Sequence, residues 1–351
     1  MRVADNAPLA PLTTLRLGGN AARLVTAERE AAVVEVVREI DSRGEPLLIL
    51  GGGSNIVISD AGFPGTVLRI GTHGRTTVAD GDRVLVTVQA GERWDLFVDS
   101  VVDEGLAGVE CLAGIPGLVG AVPMQNVGAY GQDVSETIVR LRAYDRQSRK
   151  IVEIVHDECG FAYRSSVFRG KDRYVILDVT FALERTGESR PIRYAELARA
   201  LGIAEGDRAP LGTVRSTVVE LRRKKGMVLD PSDPDTTSAG SFFTNPILSP
   251  EALETLRDRA RDEGLMPVFP ETDGRFKVGA GWLIEHAGFS KGFALDGGRA
   301  SVSTKHALAL VNRGGASTEE LVALARRIRD GVRARFGVTL ENEPVFVGVR
   351  L

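Results

Sequence analysis

GIPGLVGAVPMQNVGAYGQD, Gly114 to Asp133, is the stretch on which the reading of this chain turns. Gly114, Gly117 and Gly120 recur at intervals of three, and two prolines stiffen the segment. Glycines so spaced let backbone approach a ligand closely, and successive N–H groups can close on an anion. The pattern is G-x-x-G-x-x-G, not the G-x-G-x-x-G of a dinucleotide fingerprint. A second loop, LGGGSN (Leu50 to Asn55), follows the buried-strand pattern EPLLIL. Its glycines lead to Ser54-Asn55, where a P-loop would need Gly-Lys-Ser/Thr. Either loop alone reads equally well as a structural turn. Two of them in one region of helices and strands point to a pyrophosphate-bearing cofactor.

Outward from these loops, apolar residues at helical spacing predict a helix over 28–42, ending at Gly44. DRVLVTVQAG reads as a strand and ERWDLFVDSVVDEGL as a helix. IVRLRAYD, KIVEIVHD and YVILDVTFALER follow as three strands. Residues 192–225 read as helical, with Leu211, Val214, Val218 and Leu221 on one side. DPSDPDTTSAGS, 230–241, is polar and proline-bearing and reads as a linker or mobile loop, with a domain boundary near 227. Beyond it, Ser249 and Pro250 open one helix, and a capping box of Ser317 and Glu320 opens another that closes at Gly337. PVFVGV is a terminal strand able to return to the first domain.

A chain of 351 residues implies two or three domains. Its 43% hydrophobic and 26% charged residues are ordinary for a soluble protein, whereas 40 glycines are an excess that falls in clusters. A net charge of −3 gives no footprint for nucleic acid. RRKK, Arg222 to Lys225, reads by itself as a solvated helix end. The two cysteines have no paired spacing, and HDEC has no second cluster to complete four ligands, so no metal is expected. No signal-like segment and no run of ~20 apolar residues is present, which predicts a cytoplasmic protein without membrane contact.

The ordered motifs TTLRLGG, LGGGSN, GIPGLVGAVPMQNVGAYG, YRSSVFR, AGSFFTNP, AGWLIE and LENEPVF resemble the UDP-N-acetylenolpyruvoylglucosamine reductase family from about residue 13 to 347. The first three are shared with a wider group of FAD enzymes of the vanillyl-alcohol-oxidase type; the other four are more diagnostic. The resemblance implies an α+β fold with a two-part FAD-binding domain, 1–72 with 337–351 and 73–226, and a smaller α+β substrate-binding domain, 227–336. It implies FAD on Gly51, Gly52, Gly53, Ser54 and Asn55, and on Gly114, Ile115, Pro116, Gly117, Gly120, Ala121, Asn126, Gly128 and Ala129. His73 sits in no tethering motif, so the FAD is expected to be non-covalent. NADPH is the implied electron donor, an enolpyruvyl ether of a UDP-sugar the implied substrate, and a monomer the implied state. Two rival readings remain at this point: a flavin oxidase or dehydrogenase acting on another substrate, and a non-catalytic nucleotide-binding module.

Hydride added to the vinyl carbon of such an ether drives charge onto the α-carbon and its carboxylate. The site must then supply cationic or hydrogen-bonding groups and an acid. By the resemblance, Arg164 faces the carboxylate, Ser241 protonates the α-carbon, and Glu343 is the active-site glutamate. Read without the resemblance, Arg164 is a sheet-edge arginine, Ser241 a cap or turn residue, and Glu343 a surface carboxylate with Glu341 as its rival. Lys225, Asn245 and Lys277 are the implied substrate contacts, together with Tyr163. Tyr194 is implied to cover the substrate diphosphate, with helix packing as the alternative.

Overall fold

Alternation along Arg83–Gln89 buries Val84, Val86 and Val88 on one face, as a half-covered strand requires. Its neighbour Tyr174–Arg185 is buried over almost its whole length, because it runs through the centre of a six-stranded sheet. Along that sheet the order is 150–155, 138–145, 174–185, 83–89 and 75–80, all antiparallel, with Leu106–Ala107 added on the long strand. A four-stranded sheet orders 2–8, 20–27, 63–70 and 47–50, the last pair parallel. The computed structural model describes every residue from Met1 to Leu351, and the chain divides into two compact units. Residues 1–7, 21–53 and 64–224 make the first unit; 8–20, 54–63 and 225–351 make the second.

In the first unit, helix α1 (Glu30–Arg43) buries Val33, Val36, Val37 and Ile40. Its C-terminus closes at Gly44, whose φ of 64° suits a residue without a Cβ. Helix α2 (Trp94–Asp103) supplies Trp94 and Phe97 to a tilted aromatic cluster with Phe181, centroids 5.1–5.8 Å apart. The span 192–225 is not one helix. It is α3 (Ala195–Leu201), ended by Gly202 at φ 71°, and α4 (Leu211–Lys224), which starts after Pro210. Leu211, Val214 and Val218 are buried as the spacing predicts.

In the second unit, strands 238–241, 309–312 and 300–302 form one sheet and 247–248, 276–278 and 268–270 another. Val345–Val347 pairs in parallel with Ile56–Ile58. Helices α5 (Pro250–Arg259), α6 (Ala280–His286) and α7 (Thr318–Phe336) pack around a core that also takes in Leu15, Leu17 and Val57. Segment 230–241 is not a mobile linker. Asp235 within it is buried and accepts hydrogen bonds from Thr304 and Arg313, and 238–241 is a sheet strand.

Candidate active site

In the first unit the two glycine loops lie against each other. A Cβ built on Gly52 would meet the Gly117 Cα at 2.7 Å, and one on Gly120 would meet the Ala90 Cβ at 2.6 Å. Gly51 faces Ala121. At Gly52 and Gly120 only glycine permits this approach, so the two loops present backbone to each other across 51–53 and 114–121. The 3-10 turn Val119–Ala121 is fixed from the sheet side, since the Gly120 amide donates to Ala90 O and the Val119 amide to Glu92 O. Such a wall of backbone fits the pyrophosphate of FAD.

Arg164 lies on a tight turn closed by Ala162 and Ser165, not at a sheet edge. Its φ is +50°, a left-handed conformation that costs free energy in a non-glycine residue. Asn126 and Tyr130 share that conformation, each at φ 49°. Arg164 and Asn126 are tied together. The Arg164 guanidinium donates to the carbonyls of Gly128 (2.6 Å) and Asn126 (3.4 Å) and lies 3.7 Å from the Asp133 carboxylate. Asn126 donates to Ala162 O, Ser166 donates to Met124 O, and Arg169 donates to Arg164 O. The turn bearing Arg164 is thus pinned to the second glycine loop, with the guanidinium 5.3 Å from the Tyr163 ring centroid.

Tyr194 is the residue just before α3, and its ring meets that of Tyr130 edge-on with centroids 5.4 Å apart. Burial pushes the Tyr130 hydroxyl up to about 12 despite the charge of nearby Arg222, while burial also lowers Arg222 to about 10. Tyr130, Asp133 and Arg222 were not singled out from the sequence. Asp133 and Tyr130 stand inside the quoted loop as ordinary turn residues, and Arg222 stands in a basic run that looks solvated, yet it is buried.

The second unit gathers Asn55, Ser241, Asn245, Lys277 and Glu343. Phe242 and Phe243 are fully buried, each stabilising by roughly 1.5–3 kcal/mol, and they anchor the peptide that carries Ser241. That peptide runs beside 341–343. The Glu343 amide donates to Phe242 O at 2.9 Å, and the Thr244 amide to Glu341 O at 3.0 Å. Asn55 completes the arrangement through its carbonyl, which accepts from the Val345 amide, and its side chain, which reaches Glu343 O at 3.5 Å. Gly240, at φ 72°, makes the bulge that sets Ser241 opposite Ala309. Asn245 accepts a hydrogen bond from the Ala280 amide at the start of α6. Lys277 sits in the strand opposite Ile247 and pairs with Glu271 at 2.7 Å. Lys225 is the residue after α4 and the first of the second unit's long segment. Ser54 begins the short segment 54–63 of the same unit.

Chemically, the first unit offers a guanidinium held in place and a glycine-walled surface, and the second offers a hydroxyl and a carboxylate on hydrogen-bonded neighbouring segments. No helix is long and apolar enough to cross a membrane, and no cluster of three or more His, Cys, Asp or Glu side chains is suited to a metal ion.

Residues 21–154 match the family model described as an FAD binding domain. Residues 231–347 match that of the UDP-N-acetylenolpyruvoylglucosamine reductase C-terminal domain. The chain is 55% identical to UDP-N-acetylenolpyruvoylglucosamine reductase of Thermobifida fusca, over 99% of both chains. It is 48% identical to that of Mycobacterium marinum, over 100% of this chain and 96% of the relative. The crystal structure of the Thermus caldophilus reductase shares the fold, with a TM-score of 0.67 at 24% identity over 99% of both chains. On these similarities, which run the length of both units, the chain belongs to the UDP-N-acetylenolpyruvoylglucosamine reductase family.

Proposed function

We propose that this protein reduces enolpyruvyl-UDP-N-acetylglucosamine to UDP-N-acetylmuramate, a step in bacterial peptidoglycan precursor synthesis carried out in the cytoplasm. The observation that carries the reading is the pairing of the GSFF and ENEP stretches. These separate this family from the wider flavin group, and here they are hydrogen-bonded neighbours through Phe242 O and the Glu343 amide. Gly51–Gly53 and Gly114–Ala121 would hold FAD, which when bound and reduced by NADPH would supply the hydride.

The protein's own groups answer the charge that follows. Arg164 presents a planar guanidinium suited to a carboxylate that gains charge in the transition state. Its strained backbone and fixed carbonyl partners support a pre-set orientation, which avoids reorganisation at the moment of reaction. Ser241 gives its proton to the α-carbon. A hydroxyl needs no adjacent base for that role, because the carbanion is strongly basic and draws the proton. Glu343 supplies the carboxyl group beside it. Lys225, Asn245, Lys277 and Tyr163 contact the sugar nucleotide, and Tyr194, half-exposed and packed edge-on against Tyr130, covers its diphosphate.

The test is an anaerobic visible spectrum taken after NADPH and again after enolpyruvyl-UDP-N-acetylglucosamine. The flavin band bleaches with the first and returns with the second. In Ser241→Ala the bleaching rate is nearly unchanged and the return slows by orders of magnitude. A band that stays bleached in the wild type would overturn the substrate; equal slowing of both steps in the variant would overturn the donor role.

A further inference from the structure

The strand Ala309–Asn312 sets the register of Ser241, which pairs with Ala309 and is followed by a Phe242 amide bonded to Leu308 O at 2.7 Å. One carboxylate grips the chain at both ends of that strand. Asp235 accepts from the Thr304 amide (2.9 Å) and the Thr304 hydroxyl (2.6 Å) ahead of it, and from the Arg313 guanidinium (2.8 Å) behind it. Arg313 is itself oriented by the Ser301 hydroxyl at 3.0 Å. The flanking pairs repeat the clamp. Asp233 pairs with Lys305, and the Asn312 amide donates to Thr237 O at 3.0 Å. Only 3% of Asp235 is exposed, so its donors work with little competition from water. Burial alone would raise this carboxyl, but the Thr304 and Ser303 hydroxyls, the Thr304 amide and the Arg313 guanidinium outweigh it and hold it below the usual carboxylate range. Asp235 also backs the turn after Lys225: a Cβ on Gly226 would stand 3.1 Å from the Asp235 Cβ.

We propose that Asp235 is a positioning residue for the half-reaction in which substrate is reduced and the flavin reoxidised, holding the Ala309–Asn312 strand so that Ser241 stays at its bulge. The inference rests on Ser241 as proton donor. Asp235 touches no reacting atom and acts through the strand. Serine is a weak acid whose usefulness depends on distance to the carbanion, so a displacement of about 1 Å can cost up to about 100-fold. Loss of the clamp therefore slows protonation and leaves the upstream electron transfer alone.

The experiment is a double-mutant cycle on the flavin-loaded enzyme, read by stopped-flow absorbance of the two half-reactions. In Asp235→Asn, bleaching by NADPH keeps its wild-type rate, and return of the band with enolpyruvyl-UDP-N-acetylglucosamine slows by between about tenfold and 100-fold. On a Ser241→Ala background the same substitution has little further effect, because the group it positions is gone. Thr304→Val, which deletes one donor and keeps the shape, moves the return rate in the same direction by a smaller factor and serves if Asp235→Asn fails to fold. Slowing of both half-reactions, or full additivity with Ser241→Ala, would overturn the positioning role. An unaffected return rate in Ser241→Ala alone would instead overturn the donor assignment on which it rests.

Discussion

At the residue scale, glycines and buried acids do the work that their neighbours advertise. Gly52 is the clearest case, since a single methyl group there would collide with the Gly117 backbone. Gly52→Ala should therefore purify with several-fold less flavin per chain while retaining its far-UV circular dichroism; full flavin content would refute the cradle. The glycine spacing stands out in the sequence by itself, whereas Ser241 and Glu343 are singled out only by the resemblance of the motifs that carry them. Asp235 was not legible, because a polar, proline-bearing stretch reads the same whether it is solvated or clamped by residues 69 and 78 positions away. Arg222 was misread for a related reason: one member of a basic run can turn inward, and the burial of an arginine depends on partners that local sequence does not name. Cys111 and Cys159 make a further test. Both are buried, and burial raises both thiols, Cys159 to about 12. Iodoacetamide at pH 8 should leave them unmodified in the native protein and label both in denaturant; rapid native labelling would contradict their packing.

At the element scale, helices obey their local signals and borrow from distant ones. The capping box at α7 is present as the sequence predicts: Ser317 accepts from the Glu320 amide, and Glu320 from the Ser317 amide. Yet the next two amides, of Thr318 and Glu319, donate to the Asp60 carboxylate at 2.8 and 3.0 Å. A negative charge at a helix N-terminus also favours the helix dipole. Ser317→Ala and Asp60→Ala should each cost about 1 kcal/mol of stability in urea. If only Ser317→Ala mattered, the second cap would be ornamental. The periodicity of 192–225 likewise gave the buried face of α4 but not the break, because Leu211, Val214 and Val218 keep their spacing whether or not a loop precedes them.

At the scale of the whole molecule, acid is the informative stress. Asp145 is held far below the usual carboxylate range, chiefly by hydrogen bonds from Arg173, and Asp235 is held low as well. A carboxyl depressed in the folded state contributes stability above its unfolded pKa of about 3.9, and that contribution drains away as pH falls toward the folded value. Urea midpoints should drop between about pH 4 and pH 2, and Asp145→Asn should flatten that drop; an unchanged slope would remove the pair from the account. Asp178 opposes this trend, because burial raises its carboxyl, so protonation on acidification relieves rather than costs. Most helices and strands could be read from hydrophobic period, whereas the α+β class came from the resemblance of the ordered motifs. The alternation of the chain between two units could be read from neither, since it depends on which early segments pair with late ones. Val345–Val347 lies beside Ile56–Ile58, and Leu15, Leu17 and Val57 share a core with α7. A ribosome makes those early pieces first and their partners last. The second unit's core therefore stays open throughout translation, and a nascent chain stopped short of Val345 would be released with Ile56–Ile58 unpartnered, a ready target for chaperones and proteases.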